Sequence, residues 1–551
     1  MEYFFPNCIL FEDEHLLVVN KPSGINTHAP SPYATDGIYD YLRNLAPRWS
    51  NLAIIHRLDK ETSGALLFSK TSLANRELTK QFTERKVSKK YILITAGSPP
   101  QERFNVVSHI MRQGSQFKSV PLKPGLERAE TNFKTPSDDD FEILNLCKDW
   151  IAYAKKLHQD LDLSVLIAKP LTGRTHQVRL HSASRGCPVL GDTLYGGVES
   201  ARLWLHSAEL RFYHPQDGRE LIFRAPPATA HPSVSLRNAI LNNNTNIYRL
   251  IHGVADRQPQ IFIDKFGDWL LVQTERELMN DEMEFVQNIA QECGAKGVYH
   301  KFLKKELRAL QPAAVSPKLI YETPAPEHFT SIENSVRYEL SFSEGYSVGI
   351  FIDQRDNRRR ILTNYIAKDF PLFEKPTSAE VLNLFSYTCG FSVCAAKLGM
   401  HTASVDLSTK YLEWGKRNFQ LNGLDPAAHE FFKGDVFDWL KRFGKKGRKF
   451  DLIILDPPTF SQSKQSGAFQ ALKDYPELLR AALKLLKKGA VLFASLNTLG
   501  VAPEKFIEMI KREVSAENRK IIKYYYATQP MDFPSCAEQP AYLKTIWAKI
   551  E

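Results

Sequence analysis

The sequence lacks the marks of membrane, secreted and metal-binding proteins. No apolar run approaches the roughly 18 residues that a membrane-spanning helix needs. The first residues show no basic segment followed by a long apolar core, so we expect no signal peptide. Seven cysteines occur without any C-x-x-C pair, which argues against a zinc ribbon or a redox motif. We therefore expect a cytoplasmic protein that binds no metal.

Basic residues outnumber acidic ones in this chain of 551 residues. Lysine and arginine total 72 and aspartate and glutamate 62, which gives a formal net charge of +10. Such a balance favours a polyanionic partner, with nucleic acid first. At about 150 residues per domain, the length predicts three to four domains.

The pattern of strand-like and helix-like segments divides the chain into four parts. Residues 1–228 hold many short strands and few long amphipathic helices, which predicts a mixed, β-rich domain. The stretch APPATAHPSVSLRNAILNNNTN at residues 225–246 is rich in Pro, Ala and Asn, and within it residues 229–244 are expected to be a linker. Residues 245–345 predict a small α+β domain that binds RNA or serves as an accessory. Residues 346–551 alternate apolar strands with helices, which predicts a doubly wound, Rossmann-like α/β sheet.

One carboxylate stands out in the stretch IIHRLDKETSG, residues 54–64. A lone aspartate between strand-like runs is usually a turn-former or a cap. Further segments follow in order: KVSKKY at 86–91, TGRTHQVRLH at 172–181, then GCPVLGDTLYGG and LHSAELRFYHP. Together with HRLD-x-x-TSG, this ordered set resembles the RluA-type pseudouridine synthase family over about residues 5–228.

The resemblance implies an isomerase that converts uridine to pseudouridine without cofactor or metal. It assigns Asp59 as the nucleophile or the base at the sugar. Arg179 is the family's partner by its place in the motif, and its charge would keep a buried carboxylate ionised. Tyr91 matches the tyrosine that lies against the uracil and helps to move the C5 proton. For Lys89 we expect no more than a phosphate contact.

Arg57 precedes Asp59 by two residues. If both lie on a strand, their side chains share one face. The target uridine must be flipped out of its stack. We expect the guanidinium of Arg57 to fill the gap or to hold a phosphate.

A second set of motifs begins with VLNLFSYTCGFSVCAAKLG at residues 381–399. A strand, a turn of small residues and a helix predict a nucleotide or S-adenosylmethionine (SAM) pocket. Asp406 ends the next strand, where a carboxylate can accept the ribose hydroxyls, and Asp435 is expected at the adenine edge. The residues of the turn expected to bind the cofactor are Phe385, Tyr387, Thr388 and Gly390.

The stretch LDPPTF follows the predicted strand FDLIIL. It supplies Asp456 as a catalytic residue, a loop stiffened by two prolines, and Phe460 as a stacking surface for a flipped base. A dehydrogenase is the competing interpretation. It would need G-x-G-x-x-G, which the turn lacks, and it has no use for D-P-P-x-F.

From about residue 245 to the end, these motifs resemble the large-subunit ribosomal RNA methyltransferases related to RlmI and to the guanine-N7 half of RlmKL. The stretch GIFIDQRDNRRR at 349–360 matches the family's F-x-D-Q-R signature. The resemblance places Gln354 and Arg355 at the cofactor, and we expect residues 358–360 to contact phosphate or to be solvated. Cys389 stands where these enzymes often carry a second glycine, and we expect its side chain to pack under the helix.

The methyl acceptor is predicted to be guanine N7 rather than cytosine C5. Methylation at C5 needs a cysteine thiolate that first adds to C6. Residues 495–497, Ser-Leu-Asn, hold no cysteine where the cytosine-modifying relatives carry one. Cys536 is the remaining candidate nucleophile. Guanine N7 has an in-plane lone pair and needs only positioning, for which Asn497 and Phe460 are candidates.

The two resemblances together predict a bifunctional enzyme that isomerises uridine and methylates a base in ribosomal RNA. Two alternatives stay open. One half acts only as an RNA-binding module, or the second half methylates a small molecule and is fused to an unrelated domain. The basic charge argues against the small-molecule alternative.

Overall fold

The computed structural model describes residues 6–34, 36–114, 116–303, 316–344, 347–463 and 467–551, without the side chains of residues 460–472. Three sheets of eleven, five and seven strands dominate these ranges. None of the helices described is both long and apolar enough to cross a membrane. The mixed α/β and α+β architecture expected from the sequence is confirmed.

The first sheet is built from residues 9–224, and its helices lie between the strands. On the helix Phe141–Leu157 (α3), the buried side chains of Ile143, Cys147, Trp150 and Ala154 recur at helical spacing, so one stripe faces the core. Its strands are β1 (Ile9–Glu12), β2 (Leu16–Lys21), β3 (Ala53–Ile54), β4 (Ser63–Ser69), β5 (Ser88–Ala96), β6 (Arg103–Gln113), β7 (Gln116–Val120), β8 (Arg128–Lys134), β9 (Leu163–Pro170), β10 (Leu205–Tyr213) and β11 (Glu220–Arg224). Its helices are α1 (Ile38–Arg43), α2 (Ser72–Thr83), α3 (Phe141–Leu157) and α4 (Gln177–Ala183).

The strand order in this sheet is β1-β2-β4-β10-β5-β9-β8-β6-β7, with β3 on β4 and β11 on β10. Only β4 and β10 pair in parallel, at Ser63–His206 and Gly64–Ser207, whereas the other pairs are antiparallel. The centre of the sheet therefore brings together strands that are distant in the sequence: β4, β5, β9 and β10.

The middle sheet follows a segment that we expected to be a linker. Residues 232–240 instead form helix α5 (Pro232–Ile240), with Pro232 at the first helical position, where a missing N–H costs nothing. Arg237 on this helix is fully buried. Its guanidinium donates to Asp256 at 2.6 and 2.8 Å and to the carbonyl of Asp532 at 2.8 Å. The segment is thus part of a packed interior.

Five strands form the middle sheet in sequence order, and a separate hairpin follows. One hydrophobic core runs from Cys8 through the first sheet to Val298 in the middle sheet, and a second joins Ile247 to the C-terminal half. The domain boundaries at 228, 244 and 345 therefore stay predictions. The elements are β12 (Ile247–His252), β13 (Phe262–Phe266), β14 (Trp269–Thr274), α6 (Asn280–Glu292), β15 (Gly297–Phe302), β16 (Lys318–Glu322), and the hairpin β17 (Phe329–Glu333) and β18 (Val336–Leu340).

The C-terminal sheet has the doubly wound topology predicted from the alternation of strands and helices. Its strands are β21 (Glu380–Leu384), β22 (His401–Asp406), β23 (Glu430–Lys433), β24 (Phe450–Leu455), β27 (Leu486–Asn497), β28 (Ile521–Ala527) and β29 (Leu543–Ile550). Two small hairpins pair β19 (Tyr365–Ala367) with β20 (Phe370–Pro371) and β25 (Phe460–Ser463) with β26 (Gly467–Gln470). The helices are α7 (Arg355–Leu362), α8 (Gly390–Lys397), α9 (Thr409–Leu421), α10 (Val436–Lys445), α11 (Ala471–Leu483) and α12 (Pro503–Ala516).

The strand order in this sheet is β23-β22-β21-β24-β27-β29-β28, and only β29 runs antiparallel to its neighbours. The order reverses at β21, which pairs in parallel with both β22 and β24. Ligands bind such sheets outside the carboxyl ends of the strands at the point of reversal. The fold therefore places a binding crevice after Leu384, Asp406 and Leu455.

Candidate active sites

A cavity of about 1000 Å³ opens over the centre of the first sheet. Its lining includes Arg57, Asp59, Tyr91 and Arg179, so the structure brings together the four residues that the sequence assigned to this site. His56, Lys89 and His176 also line it. Among the residues that the structure describes, no group of three His, Cys, Asp or Glu side chains is placed to hold a metal ion.

Asp59 does not lie on a strand, contrary to the geometry expected for it and Arg57. The segment 55–59 between β3 and β4 forms no sheet ladder. The backbone of Leu58 is held by Thr27, whose Oγ1 accepts from its N–H at 3.1 Å and donates to its carbonyl at 2.9 Å. The buried Nζ of Lys21 donates to three backbone carbonyls, including that of Lys60 at 3.1 Å. These contacts, rather than strand pairing, fix the segment that carries Asp59.

Arg179 lies between two carboxylates. Its Nη1 is 3.8 Å from Oδ2 of Asp59, while Nε and Nη2 each donate to Asp192 at 2.7 Å. Burial by itself would lower the pKa of Arg179, but the hydrogen bonds and charge of Asp192 and the charge of Asp59 raise it. The guanidinium also stacks over Tyr195 at 5.1 Å. Asp192 therefore orients Arg179 toward Asp59.

Asp192 was not recognised from the sequence, although it lies in the quoted segment GCPVLGDTLYGG. It is 2% exposed, and a buried carboxylate needs a partner of opposite charge. The apolar residues that surround Asp192 in the sequence were therefore the signal that this carboxylate is buried. The identity of its partner depends on how residue 192 folds back against helix α4.

Tyr91 is 8% exposed and projects from β5 toward the cavity. Burial first, and then the charge of Asp59, raises the pKa of Tyr91 above its ordinary value, so the phenol keeps its proton. Ser207 on β10 hydrogen-bonds to the phenol. Opposite Ser207 lies Gly64, with φ +118°, where a Cβ would lie 2.3 Å from the Ser207 carbonyl oxygen. Glycine is therefore required where β4 meets β10.

A second cavity of about 400 Å³ lies at the carboxyl ends of β21, β22 and β24, as the point of strand reversal predicts. It is separate from the first, and the two share no lining residue. Its lining includes these predicted residues: Gln354, Phe385, Tyr387, Thr388, Gly390, Asp406, Asp435 and Asp456.

The turn after β21 has an unusual backbone. Phe385, Tyr387 and Cys389 have φ of 59°, 48° and 62°, a left-handed conformation that costs each roughly 1–2 kcal/mol. Contacts on both sides hold it: Thr388 Oγ1 donates to the Gly349 carbonyl at 2.6 Å, and Asp406 accepts from the Tyr387 N–H at 2.8 Å. Such stored strain is typical of ligand-binding turns.

The side chain of Cys389 is fully buried and lies outside the lining of the cavity. It packs against Gly415 of α9, where an added Cβ would lie 2.5 Å from the Cys389 sulfur. Cys389 is thus packed against α9 and outside the cavity, and its packing under the helix that follows the turn stays a prediction.

Both carboxylates expected to hold the nucleoside part of a cofactor line the cavity and are fixed by backbone N–H groups. Asp406 accepts from Tyr387 at 2.8 Å and from Ser408 at 2.9 Å. Burial raises the pKa of Asp406. Asp435 caps helix α10 by accepting from the N–H of Phe437 at 2.9 Å. Each carboxylate is thereby held at the cavity wall.

Asp456 sits at the other side of the cavity, next to Gln354. The side-chain amide of Gln354 donates to Asp456 at 3.0 Å and to Ser495 at 2.9 Å. Burial, together with the nearby charge of Asp353, raises the pKa of Asp456 to about 6. Asp353 accepts from the Tyr542 hydroxyl at 3.1 Å and also lines the cavity. It was missed in the sequence, although it belongs to the F-x-D-Q-R signature.

Arg355 does not face the cofactor cavity, contrary to the sequence prediction. It is 4% exposed and pairs with Asp532, with Nη1 at 2.7 Å from Oδ2. The expected solvation or phosphate contact of residues 358–360 is also wrong, because all three side chains are buried. Arg358 lines the cavity but is neutralised by Glu333 at 2.7 Å.

Phe460 begins strand β25, but its side chain lies outside the described part of the structure. Its stacking role therefore stays a prediction.

Comparison with known proteins assigns the two halves of the chain to two kinds of domain. The family model described as RNA pseudouridylate synthase matches residues 15–184, and the one described as S-adenosylmethionine-dependent methyltransferase matches residues 291–546. Among solved structures, SMU.776 complexed with SAH is 29% identical, with a TM-score of 0.49, and the match covers 56% of this chain and 76% of that one.

Two relatives show how far the likeness extends. Ribosomal RNA large subunit methyltransferase K of Neisseria meningitidis serogroup B is 38% identical over 175 residues, which are 31% of this chain and 46% of that protein. The chain thus spans less than half the length of that relative. Ribosomal RNA large subunit methyltransferase I of Yersinia pseudotuberculosis is 30% identical over 310 residues, 55% of this chain and 75% of that protein. The chain therefore belongs to the family of ribosomal RNA large subunit methyltransferase I, and it carries an RNA pseudouridylate synthase domain ahead of the methyltransferase.

Proposed function

We propose that the protein carries out two modifications of ribosomal RNA: isomerisation of a uridine to pseudouridine and SAM-dependent methylation of a base. The observation that carries the proposal is that each of the two cavities contains its own reactive set. Asp59, Arg179 and Tyr91 line the first, and Asp406 and Asp456 line the second. A single chain would raise the effective concentration of the second site if both targets lie within reach.

The first cavity supplies one carboxylate for the sugar and one cation beside it. Arg179, held by Asp192, lies 3.8 Å from Asp59 and faces the carboxylate that would attack the sugar. Tyr91 keeps its proton and offers a flat surface for the uracil. Arg57 lines the same cavity, and we expect its guanidinium to fill the gap that the flipped uridine leaves or to hold a phosphate of the RNA.

The residues of the second cavity fit SAM by the chemistry of their donors. Asp406 and Asp435 supply acceptors for ribose hydroxyls and for the adenine amino group, and the strained turn at 385–389 presents its backbone to the cavity. When bound, SAM supplies an electrophilic methyl group. Asp456 and Asn497, both in the lining, would position the accepting base.

Guanine N7 is the acceptor that we favour. Residue 495 is a buried serine, so no thiol lies at the end of β27. Cys536 lies in a loop closed by a hydrogen bond from its N–H to the Gln539 carbonyl at 3.0 Å, and it is not among the residues lining the cavity. A lining without a thiol disfavours cytosine C5 and supports direct attack by a nucleophile of the base, and guanine N7 offers an in-plane lone pair that needs only positioning.

The experiment is mass spectrometry of ribosomal RNA from a deletion strain, repeated after treatment with the purified protein and SAM. We expect one pseudouridine and one N7-methylguanosine to disappear in the strain and to return on treatment.

Cys536→Ala should methylate as the parent does. The acceptor is cytosine C5 if three results coincide. The variant still binds SAM, it no longer transfers the methyl group, and it no longer forms a covalent RNA adduct that the parent protein forms. If only one modification responds, the other half acts as a binding module.

Asp406→Ala should weaken SAM binding by roughly 1–3 kcal/mol, because ribose hydroxyls then lack a buried acceptor. Asp425→Ala is the matched control, since Asp425 also accepts from a backbone N–H, at 2.9 Å from Ala427, but lies outside the cavity. Titration calorimetry of the full-length variants gives the affinities. Equal affinities for the Asp406→Ala variant and the parent would remove Asp406 from the cofactor site.

A further inference from the structure

Lys89 is a cation in the first cavity for which the structure supplies no counter-charge. It lies on β5 two residues before Tyr91, so the two side chains share a face, and both line the cavity. In the described part of the chain, the ammonium group of Lys89 forms neither a hydrogen bond nor an ion pair. It lies beside Gly173, where an added Cβ would be 3.6 Å from Nζ, and 6.0 Å from the centre of the Phe82 ring. Lys90, on the opposite face, pairs with Glu209 at 3.4 Å.

The surroundings of Lys89 disfavour its charge. Burial lowers the pKa of Lys89 to about 8. His56 stacks on Phe82, and its Nε2 accepts from the Leu67 N–H at 3.1 Å, so the imidazole is neutral. Arg179 in the same cavity is balanced by Asp192 and Asp59, whereas Lys89 has no such partner. A desolvated, unpaired cation is costly to maintain and suits a site where an anion arrives or forms during the reaction.

The isomerisation itself generates an anion next to Tyr91. When Asp59 bonds to C1′, the C1′–N1 bond breaks and its electron pair leaves on uracil N1, delocalised over O2 and O4. When C5 then bonds to C1′, the bond to Asp59 breaks and its pair returns to the carboxylate. C5 loses its proton and N1 gains one, so no atom is gained or lost overall.

We propose that Lys89 is a catalytic residue that stabilises the departing uracil anion. The inference rests on the proposed synthase function. In the proposed synthase reaction the uracil lies against Tyr91, and Lys89 is the neighbour of Tyr91 on the same face of β5, so its ammonium group is on the side of the ring oxygens. Because the protein wall is less polar than water, one such charge lowers the barrier more than it would in solution. A phosphate contact is the competing role.

The test compares Lys89→Met with Lys90→Met in the full-length protein. Single-turnover pseudouridine formation at saturating RNA should slow by roughly 10²–10³-fold in Lys89→Met, the typical cost of losing one transition-state donor, and stay near the parental rate in Lys90→Met. RNA with 5-fluorouridine at the target carries a better leaving group. On this RNA, the loss of the glycosidic-cleavage rate in Lys89→Met should be several-fold smaller.

Two further measurements separate catalysis from folding. Lys89→Arg keeps a cation and should recover at least part of the rate. Lys89→Met should methylate RNA as the parent does, because the second cavity shares no residue with the first.

Other outcomes overturn the inference. Weaker RNA binding with an unchanged rate at saturation, and a salt dependence reduced by about one phosphate contact, would assign Lys89 to the RNA backbone. Equal losses on uridine and 5-fluorouridine RNA would assign it a structural role. If the parent forms no pseudouridine, the proposed function fails. If the parent is active, Asp59→Asn is inactive and Lys89→Met is unimpaired, the inference alone fails.

Discussion

Asp59→Asn should eliminate pseudouridine formation while methylation continues at the parental rate. Asparagine keeps the shape of the side chain but can neither bond to C1′ as a carboxylate does nor accept a proton from the sugar. Loss of a nucleophile typically slows an enzyme on the order of 10⁴–10⁶-fold. Arg179 keeps its two bonds to Asp192 at 2.7 Å, so the geometry of the site should survive.

The matched control is Glu61→Gln, which removes a carboxylate from the same loop at a position outside the cavity lining. This variant should form pseudouridine normally. Both reactions are measured on one RNA by mass spectrometry of nucleosides, which makes methylation the internal standard. Pseudouridine formed by purified Asp59→Asn at the parental rate would remove Asp59 from the mechanism.

Arg355→Met should destabilise the protein by about 3–5 kcal/mol, the cost of leaving a buried carboxylate without its partner. Asp532 is fully buried and would lose a guanidinium whose Nη1 lies at 2.7 Å. Arg417→Met is the matched control. Arg417 pairs with Glu339 at 2.7 Å, but its side chain is 43% exposed, so its loss should cost less than about 1 kcal/mol.

Denaturant unfolding followed by tryptophan fluorescence measures both variants, and calorimetry below the transition measures SAM affinity. We expect SAM affinity to be unchanged in Arg355→Met, since Arg355 does not line the cavity. A variant of near-parental stability that binds SAM weakly would restore Arg355 to the cofactor site.

The outcome for Arg355 shows where sequence patterns reach their limit. Gln354 and Arg358 are four residues apart and both line the cofactor cavity, whereas Arg355 and Arg359 are turned about 100° from them. The F-x-D-Q-R signature gave the right neighbourhood. The signature could not predict which side chains point into the cavity, because their directions depend on helix α7 beginning at Arg355.

The C-terminal sheet was predictable because apolar strands alternating with helices allow few arrangements, and the carboxyl ends of parallel strands share one edge. Asp406 ends strand β22 and Asp456 follows strand β24, and both therefore line the cavity. Asp192 and Asp353 were not predicted. Their partners, Arg179 and Tyr542, are 13 and 189 residues away, and such pairs are set by tertiary packing.

Helix α5 was missed for a related reason. The surrounding stretch, residues 225–246, is rich in Pro, Ala and Asn, which is typical of a linker, and the helix residues PSVSLRNAI include serine, valine and asparagine, whose helix propensity is weak. Tertiary contacts override that preference. Buried Arg237 anchors the helix through Asp256, and no local pattern announces such an anchor.

Helix α7 has a consequence for how this protein can be divided. One of its faces borders the cofactor cavity through Arg358, while Arg359 donates to the carbonyl of Leu45, in the synthase domain, at 3.0 Å. Arg237 forms a second hydrogen bond between distant parts of the chain by donating to the carbonyl of Asp532. Cutting the chain near residue 240 would separate Asp256 from Arg237 and Arg359 from the carbonyl of Leu45. The two halves therefore cannot simply be exchanged for the corresponding domains of other proteins. Fusing one half to a foreign domain would require a redesigned interface, so a functional transfer should use the whole chain.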